Sequence, residues 1–491
     1  LGNLIKNEFI KIFKKKTLLV LLIITIAYSI LNNCIYKFAY SDLMSGIMDD
    51  SKYLRESYES ELKNLDPKNA ADNEKYIETK SQLELLDVKS KYERNSWQDY
   101  IASTKVIEKI TEKNKLIYSL EKTDETNSKI AKVEKEYSDL VNKINESSKE
   151  DGWKYFASQE IESVKAQIQA KKELREISLE KQPIDEQISS LETTLKVLEM
   201  RIEKNIGYGS DFLSQEVEFY NMNKASLGSV DLNKSMSFAD KKEKRNFKEN
   251  YEISKYVVET GNDVKKMDDL RGSIRNIFAD YSLFIMLTII IVAGTIVSSE
   301  FEKGTIKLLL TKPYSRTKIL LSKYIVVLST ILLSFVAVTI IQFVVGGIFF
   351  GFDSLNVPIV AYDFNLEKLI EINIFKFLLM QAIAILPMFI LIATFAFAIG
   401  AIASNSALSI TISLLLYMVG SILNAIAYSF NVKIMKFLFS VNWDFNQYLF
   451  GRISELEHIN LMFSTLICIA YFLLFMIPAF IVFKKKNIKN I

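Results

Sequence analysis

Histidine occurs once in 491 residues, cysteine twice, and no glycine is followed by lysine. So few His and Cys leave no ligand set for a metal centre of the usual spacings, and His458 has no second ligand near it. Cys34 and Cys468 both belong to or border apolar runs, so the polar part of the chain has no disulfide and must fold by packing alone. The missing Gly-Lys pair excludes a Gly-x-x-x-x-Gly-Lys-Ser/Thr phosphate loop, and with it nucleotide hydrolysis by that device. No catalytic residue, metal ligand or cofactor site is assigned, and nothing calls for a nucleic-acid partner. Proline is also scarce, with only Pro67 and Pro183 between Lys37 and Asn276.

What the chain has instead is long apolar runs. Thr17 to Cys34, Ile277 to Ser298, Ile319 to Phe350, Phe375 to Ala403, Ala407 to Phe430 and Leu461 to Phe483 can each cross roughly 30 Å of hydrocarbon, the first only marginally. Six membrane spans are therefore expected, in an all-α membrane protein. The spans after Asn276 hold no Asp, Glu, Lys or Arg near their midpoints, which argues against coupling to a proton or sodium gradient. Gln342, Gln381 and Asn424 are the polar residues left there, and hydrogen bonding between helices is the reading favoured for each.

Lysine and arginine crowd three short segments: Lys6 to Lys16, Lys303 to Lys323, and Lys484 to Lys489. Positive residues resist translocation, so both termini are expected in the cytoplasm and residues 37–276 outside the cell membrane. That segment carries 41 basic and 47 acidic residues, a charge near −6, whereas the whole chain is +3. Lys14 to Lys16 followed by Ala27-Tyr28-Ser29 imitates a cleavable signal, but Ile5, Phe9, Ile12 and Phe13 share one helical face, as in a retained interfacial helix. Cys34 lacks the small residues that precede a lipid attachment site.

Between the first two spans, Ile130, Val133, Tyr137, Leu140 and Ile144 step by three and four residues, as do Ile184, Ile188, Leu191, Leu195, Leu198 and Ile202. Two such seams predict an antiparallel coiled-coil arm, with a turn at Asp151-Gly152-Trp153. From Gly207 to Asn262 the rhythm is lost among glycines and aromatics, and this part is expected to pack at the base. The division expected is therefore 1–36 (interfacial helix and first span), 37–276 (external helical domain) and 277–491 (five further spans).

The stretch from Ser298 to Tyr324 carries the most information. Glu300-Phe301-Glu302 is followed by Gly304-Thr305, an apolar run (Ile306, Leu308, Leu309, Leu310), Pro313, Ser315-Arg316 and Lys323. Gly304 and Thr305 can break and restart a helix, and Pro313 with Ser315 can open the next. This arrangement resembles the ABC-2 type family of ABC transporter permeases. The resemblance implies that these residues meet a separate cytoplasmic ABC ATPase, which would hold the ATP. It also implies that a second copy, or a similar permease, completes a pathway for export of a peptide, lipid or small toxic compound. The alternative is a membrane-anchored interaction protein whose external arm captures a wall or surface partner.

Overall fold

The computed structural model describes residues 2–39, 51–120, 124–147, 151–178, 181–209, 211–231, 237–310, 313–430 and 432–486. Thr311, Lys312 and Lys489, all part of the basic or loop segments named above, lie outside them. The chain divides into two compact units, Leu1–Ser41 with Val264–Ile491, and Asp42–Asp263. The first begins with α1 (Gly2–Phe13), a short amphipathic helix, and α2 (Lys16–Cys34), which continues as a π-helical turn over Ile35–Ala39.

The second unit is built of α3 (Ser51–Leu62), α4 (Ala70–Lys89), α5 (Trp97–Ile101), α6 (Ile107–Ile117), α7 (Asp124–Glu146), α8 (Trp153–Ile177), α9 (Gln182–Lys204), α10 (Phe212–Asp231) and α11 (Phe238–Thr260). Caps fix several ends: the Asn69 side chain accepts from the Ala71 N–H at 3.0 Å, and Ser237 with Asp240 forms a capping box. The two predicted seams lie on α7 and α9, yet they are not each other's partners. Helix α7 packs on α6, and α9 packs along α8. Three ion pairs cross that second pair in antiparallel register: Arg175 with Asp185, Lys172 with Glu192 at 3.2 Å, and Lys165 with Glu199 at 3.6 Å. Periodicity reveals that a helix has an apolar face but not which neighbour receives it. A core of Trp97, Ile101, Ile144, Trp153, Phe156 and Leu198 then gathers both pairs. The irregular stretch after Gly207 forms two more long helices, α10 and α11, packed together over Val217, Tyr220 and Val258.

The first unit resumes with α12 (Leu270–Arg275), α13 (Ile277–Asp280), α14 (Ser282–Thr295), α15 (Ser298–Glu302), α16 (Ile306–Leu310) and α17 (Arg316–Phe350). A hairpin of β1 (Ile359–Asp363) and β2 (Lys368–Ile372) follows, then α18 (Ile374–Ala403), α19 (Ser406–Ser429), α20 (Phe439–Asn442) and α21 (Leu461–Lys485). Five helices among the described residues are long and apolar enough to cross a membrane: Lys16–Phe38, α17, α18, α19 and α21. The expected span from Ile277 to Ser298 is instead divided at Tyr281, and α14 has 14 residues, about 21 Å of helix. It lies among α2, α17, α18 and α19 and buries Ile285, Met286, Ile289, Ile290 and Ala293. A helix apolar on every side is what a central position requires.

Lipid tails are as apolar as leucine, so close packing and internal hydrogen bonds must hold these helices together. At the junction of α14, α18 and α19, a Cβ on Gly400 would lie 2.8 Å from the Gly294 carbonyl oxygen, while Ser409 Oγ donates to Ala396 O at 2.6 Å. Small residues there let three backbones meet. The β hairpin departs from the all-α expectation. Its strands pair antiparallel from Ile359 opposite Ile372 to Asp363 opposite Lys368, and the turn places Glu367 at φ 52°. Hydrogen bonds bring several polar segments to one end of this unit. Arg316 donates to Lys484 O and Lys486 O, and Lys15 donates to Thr295 Oγ1 at 2.6 Å, so α1, the end of α14, Arg316 and the end of α21 lie together.

Candidate functional site

The site grows from α1. Leu4, Glu8 and Ile12 lie one turn apart on its buried face, so a carboxylate is placed among apolar groups and needs a cation. That cation is Lys323, on the second turn of α17. Its Nζ donates to Glu8 Oε2 at 2.8 Å and Ile296 O at 2.8 Å, and stands 3.5 Å from Glu300 Oε1. Lys11 Nζ bridges the same acids, at 2.6 Å from Glu300 and 3.2 Å from Glu8. Two carboxylates and two ammonium groups thus cancel in charge. Burial alone would raise the Glu300 pKa, but Lys323 beside it and hydrogen bonds from Lys11 and Thr305 outweigh burial and hold it down at about 2.

Around this cluster the residues from 298 to 316 reach several helices. Glu302 accepts from the Ser406 N–H at 2.6 Å and its hydroxyl at 2.8 Å, capping α19. Phe301 packs edge-on against Phe483 and receives the Lys486 ammonium 4.7 Å from its ring centre. Gly304 turns the chain at φ 67°, where any side chain would be strained, and Thr305 donates to Glu300 Oε2. Ser315 caps α17 by accepting from the Lys318 N–H.

The apolar run does not form one surface. Ile306 and Leu309 are buried, at 0% and 7% exposure, while Leu308 stands out at 71%. On a helix, residues three apart share a face and the two between them point away. Pro313 and Ser315 are exposed. Glu8, Lys11 and Lys15 are members of this site that sequence reasoning did not select. A lone acid on the apolar face of α1 was the available signal.

A second polar cluster lies further along α2 and α17. Gln342 is fully buried; its Oε1 accepts from Ser29 Oγ at 2.8 Å, Asn33 Nδ2 at 3.1 Å and the Tyr281 hydroxyl, and its Nε2 donates to Asn33 Oδ1 at 3.1 Å. The amide thus ties α17 to α2 and to Tyr281, between α13 and α14. Asn424 Nδ2 donates to Ser440 O at 2.8 Å, while its Oδ1 and the Oε1 of Gln381 are buried without a hydrogen bond. The three amides are not brought together in any shared hydrogen-bond network. His458 is exposed and 3.7 Å from Glu457.

A family described as "Protein of unknown function (DUF2705)" matches residues 240–489, just over half of the chain. The chain belongs to the DUF2705 family. Among curated proteins it resembles the uncharacterized protein YhcI of Bacillus subtilis (strain 168), 33% identical over 213 residues, 43% of this chain and 67% of that protein. It also resembles the uncharacterized membrane protein YdbK of the same organism, 27% identical over 208 residues, 42% of this chain and 79% of that one. No solved structure matches significantly. These matches correct the likeness drawn above to ABC-2 permeases: the family whose model spans Ser298 to Tyr324 is DUF2705, and neither relative bears an ABC-2 description. A stretch of 27 residues with common residue types is too short to decide family membership. With several spanning helices and a relative described as a membrane protein, this DUF2705 member is a multi-pass membrane protein.

Proposed function

We propose that this chain is the membrane subunit of an ATP-driven exporter, powered by a separate ATPase polypeptide that docks on residues 298–310. One observation carries the reading: an exposed leucine, Leu308, is mounted on a segment anchored underneath by the buried Glu8–Lys323–Glu300 cluster, which the half-exposed Lys11 bridges from outside. Through Glu302, Phe301 and Glu300 the same segment grips α19, α21 and α17. A push on Leu308 would therefore reach several spans at once. Lys303 and Lys307 flank it and would suit an acidic groove.

In this reading both termini face the cytoplasm, where the ATPase holds the ATP, and residues 37–276 lie outside the cell membrane. Helix α14 crosses with α13 as a sixth, short span. A second copy or a similar permease completes the pathway for a peptide, lipid or small toxic compound, and the chain has no enzymatic site of its own. The test is Leu308→Asp, co-expressed with any ATPase subunit that a neighbouring gene encodes. Leu309 is buried and unsuitable for this purpose. Loss of co-purification with an intact, monodisperse subunit supports docking; full retention of the ATPase overturns it.

A second reading rests on the far end of the α8–α9 pair, where Ile177 is 82% and Leu174 44% exposed. Exposed aliphatics at a helical hairpin's tip suit an interaction protein, with α8–α9 acting as the coiled-coil arm that meets a wall or surface partner.

A further inference from the structure

A cavity of about 290 Å³ opens between α1, α2, α14 and α17. Its walls are apolar, including Phe9, Leu22, Phe284 and Val338, and the four hydroxyls that line it are spoken for. Thr25, Thr288, Thr330 and Ser334 each donate to the carbonyl four residues earlier on their own helix, at 2.8 to 2.9 Å. A polar guest would find no donor to meet it, but an alkyl chain would fit.

The cleft also has a defined length. It runs along α2 from Leu18 to Thr25 and along α17 from Thr330 to Ile341, and the latter stretch, about 16 Å of helix, matches one leaflet of a roughly 30 Å hydrocarbon core. One turn beyond Thr25, Ser29 and Gln342 close it. At its mouth, Phe9 and Phe13 also line a shallow groove along α1 bordered by Lys6 and Lys14. Lys6, Lys14 and Lys16 are exposed, and neither hollow is lined by an acidic residue. Glu8, the acid on that helix, is engaged by Lys11 and Lys323.

We propose that this cleft holds one acyl chain of an anionic phospholipid, from the leaflet that meets α1, with the lipid phosphate held by Lys6, Lys14 and Lys16. The inference rests on the membrane placement of the chain and is independent of any ATPase. It is tested with the full chain in nanodiscs of phosphatidylcholine containing a minority of phosphatidylglycerol, one or the other bearing a diazirine in its acyl chain. Photolabelling by the phosphatidylglycerol probe should fall on peptides of α2 and α17 that face the cleft. It should exceed labelling by the phosphatidylcholine probe by about five-fold for each lysine engaged.

Ala337→Phe should fill the cleft and abolish this labelling while the protein remains monodisperse. Should that variant fail to fold, Lys6→Gln/Lys14→Gln/Lys16→Gln, confined to the surface, should make the two probes equal. Equal labelling by both probes in the unmodified protein, or labelling spread evenly onto lipid-exposed Leu415 and Ile422 of α19, overturns the proposal. So does cleft labelling that survives Ala337→Phe in a folded protein.

Discussion

Glu8 and Lys323 are 315 residues apart in the chain, yet their side chains meet at 2.8 Å with 6% and 1% exposure. The contact fastens an N-terminal helix to the start of the long α17 and shares its cation with Glu300. Removing one partner of a buried pair leaves the other charge without compensation, a loss of roughly 3–5 kcal/mol. Lys323→Met should therefore lower the apparent Tm of the detergent-solubilised protein more than Glu8→Gln, because it strands two acids on Lys11. The double variant Glu8→Gln/Lys323→Met should lose less than the two single losses combined. Strict additivity would show that the pair does not act as a unit.

The depressed pKa of Glu300 has a consequence for acid stability. Its folded value of about 2 lies below the ordinary 4.5, so the folded state releases this proton more readily than the unfolded one. The stabilisation is complete above pH 4.5 and is lost as pH falls toward 2. Apparent Tm followed through that interval should decline more steeply for the unmodified protein than for Glu300→Gln, which should be the less stable of the two near neutrality. Parallel curves would mean that Glu300 does not carry this acid response.

These two predictions depend on features that were unevenly legible beforehand. Long apolar runs announce helices regardless of their neighbours, and the runs containing α17, α18, α19 and α21 were read from that signal alone. The break at Tyr281 was not: Asp280, Tyr281 and Ser282 interrupt the run, but the apolar residues on either side are enough to read as one span. Within the site, Lys323 belonged to a recognisable local pattern, but Glu8 acquires meaning only from a partner 315 residues away. Likewise, the α9 seam could be seen in the spacing of Ile184, Ile188 and Leu198, whereas its choice of α8 over α7 depends on three-dimensional arrangement. The strands of the hairpin are five residues each, too short to stand out between two long apolar helices.

The proposed topology places exposed Ser90 and exposed Thr317 on opposite sides of the membrane. In a variant with Cys34 and Cys468 replaced, Ser90→Cys should react in intact cells with an impermeant maleimide, while Thr317→Cys should react only after the membrane is opened. Thr317 is preferable to Ser315, whose side chain caps α17. Labelling of both from outside would invert the assignment of the basic segments, and the ATPase reading would fall with it.

The unit Asp42–Asp263 should fold without the spans, because its apolar faces are covered within it. Expressed alone, residues 42–263 should give a strongly helical circular dichroism spectrum and a cooperative melt. Arg201→Met should lower the midpoint, since the buried guanidinium lies 4.8 Å from the centre of the Tyr208 ring and donates to Gly207 O at 2.7 Å. Leaving that acceptor unsatisfied costs about 1–3 kcal/mol. The helix pairing can be read from the same sample. A carbodiimide joins a lysine to a carboxylate only when the two touch, so mass spectrometry should find Lys172 linked to Glu192 and Lys165 to Glu199, both between α8 and α9. Lys109 should be linked to Glu136, between α6 and α7. Such surface pairs add little to stability, which makes them reporters of geometry that do not bias the fold. Links running from α7 to α9 instead would restore the arm in which the two predicted seams face each other, and would displace the four-helix core described here.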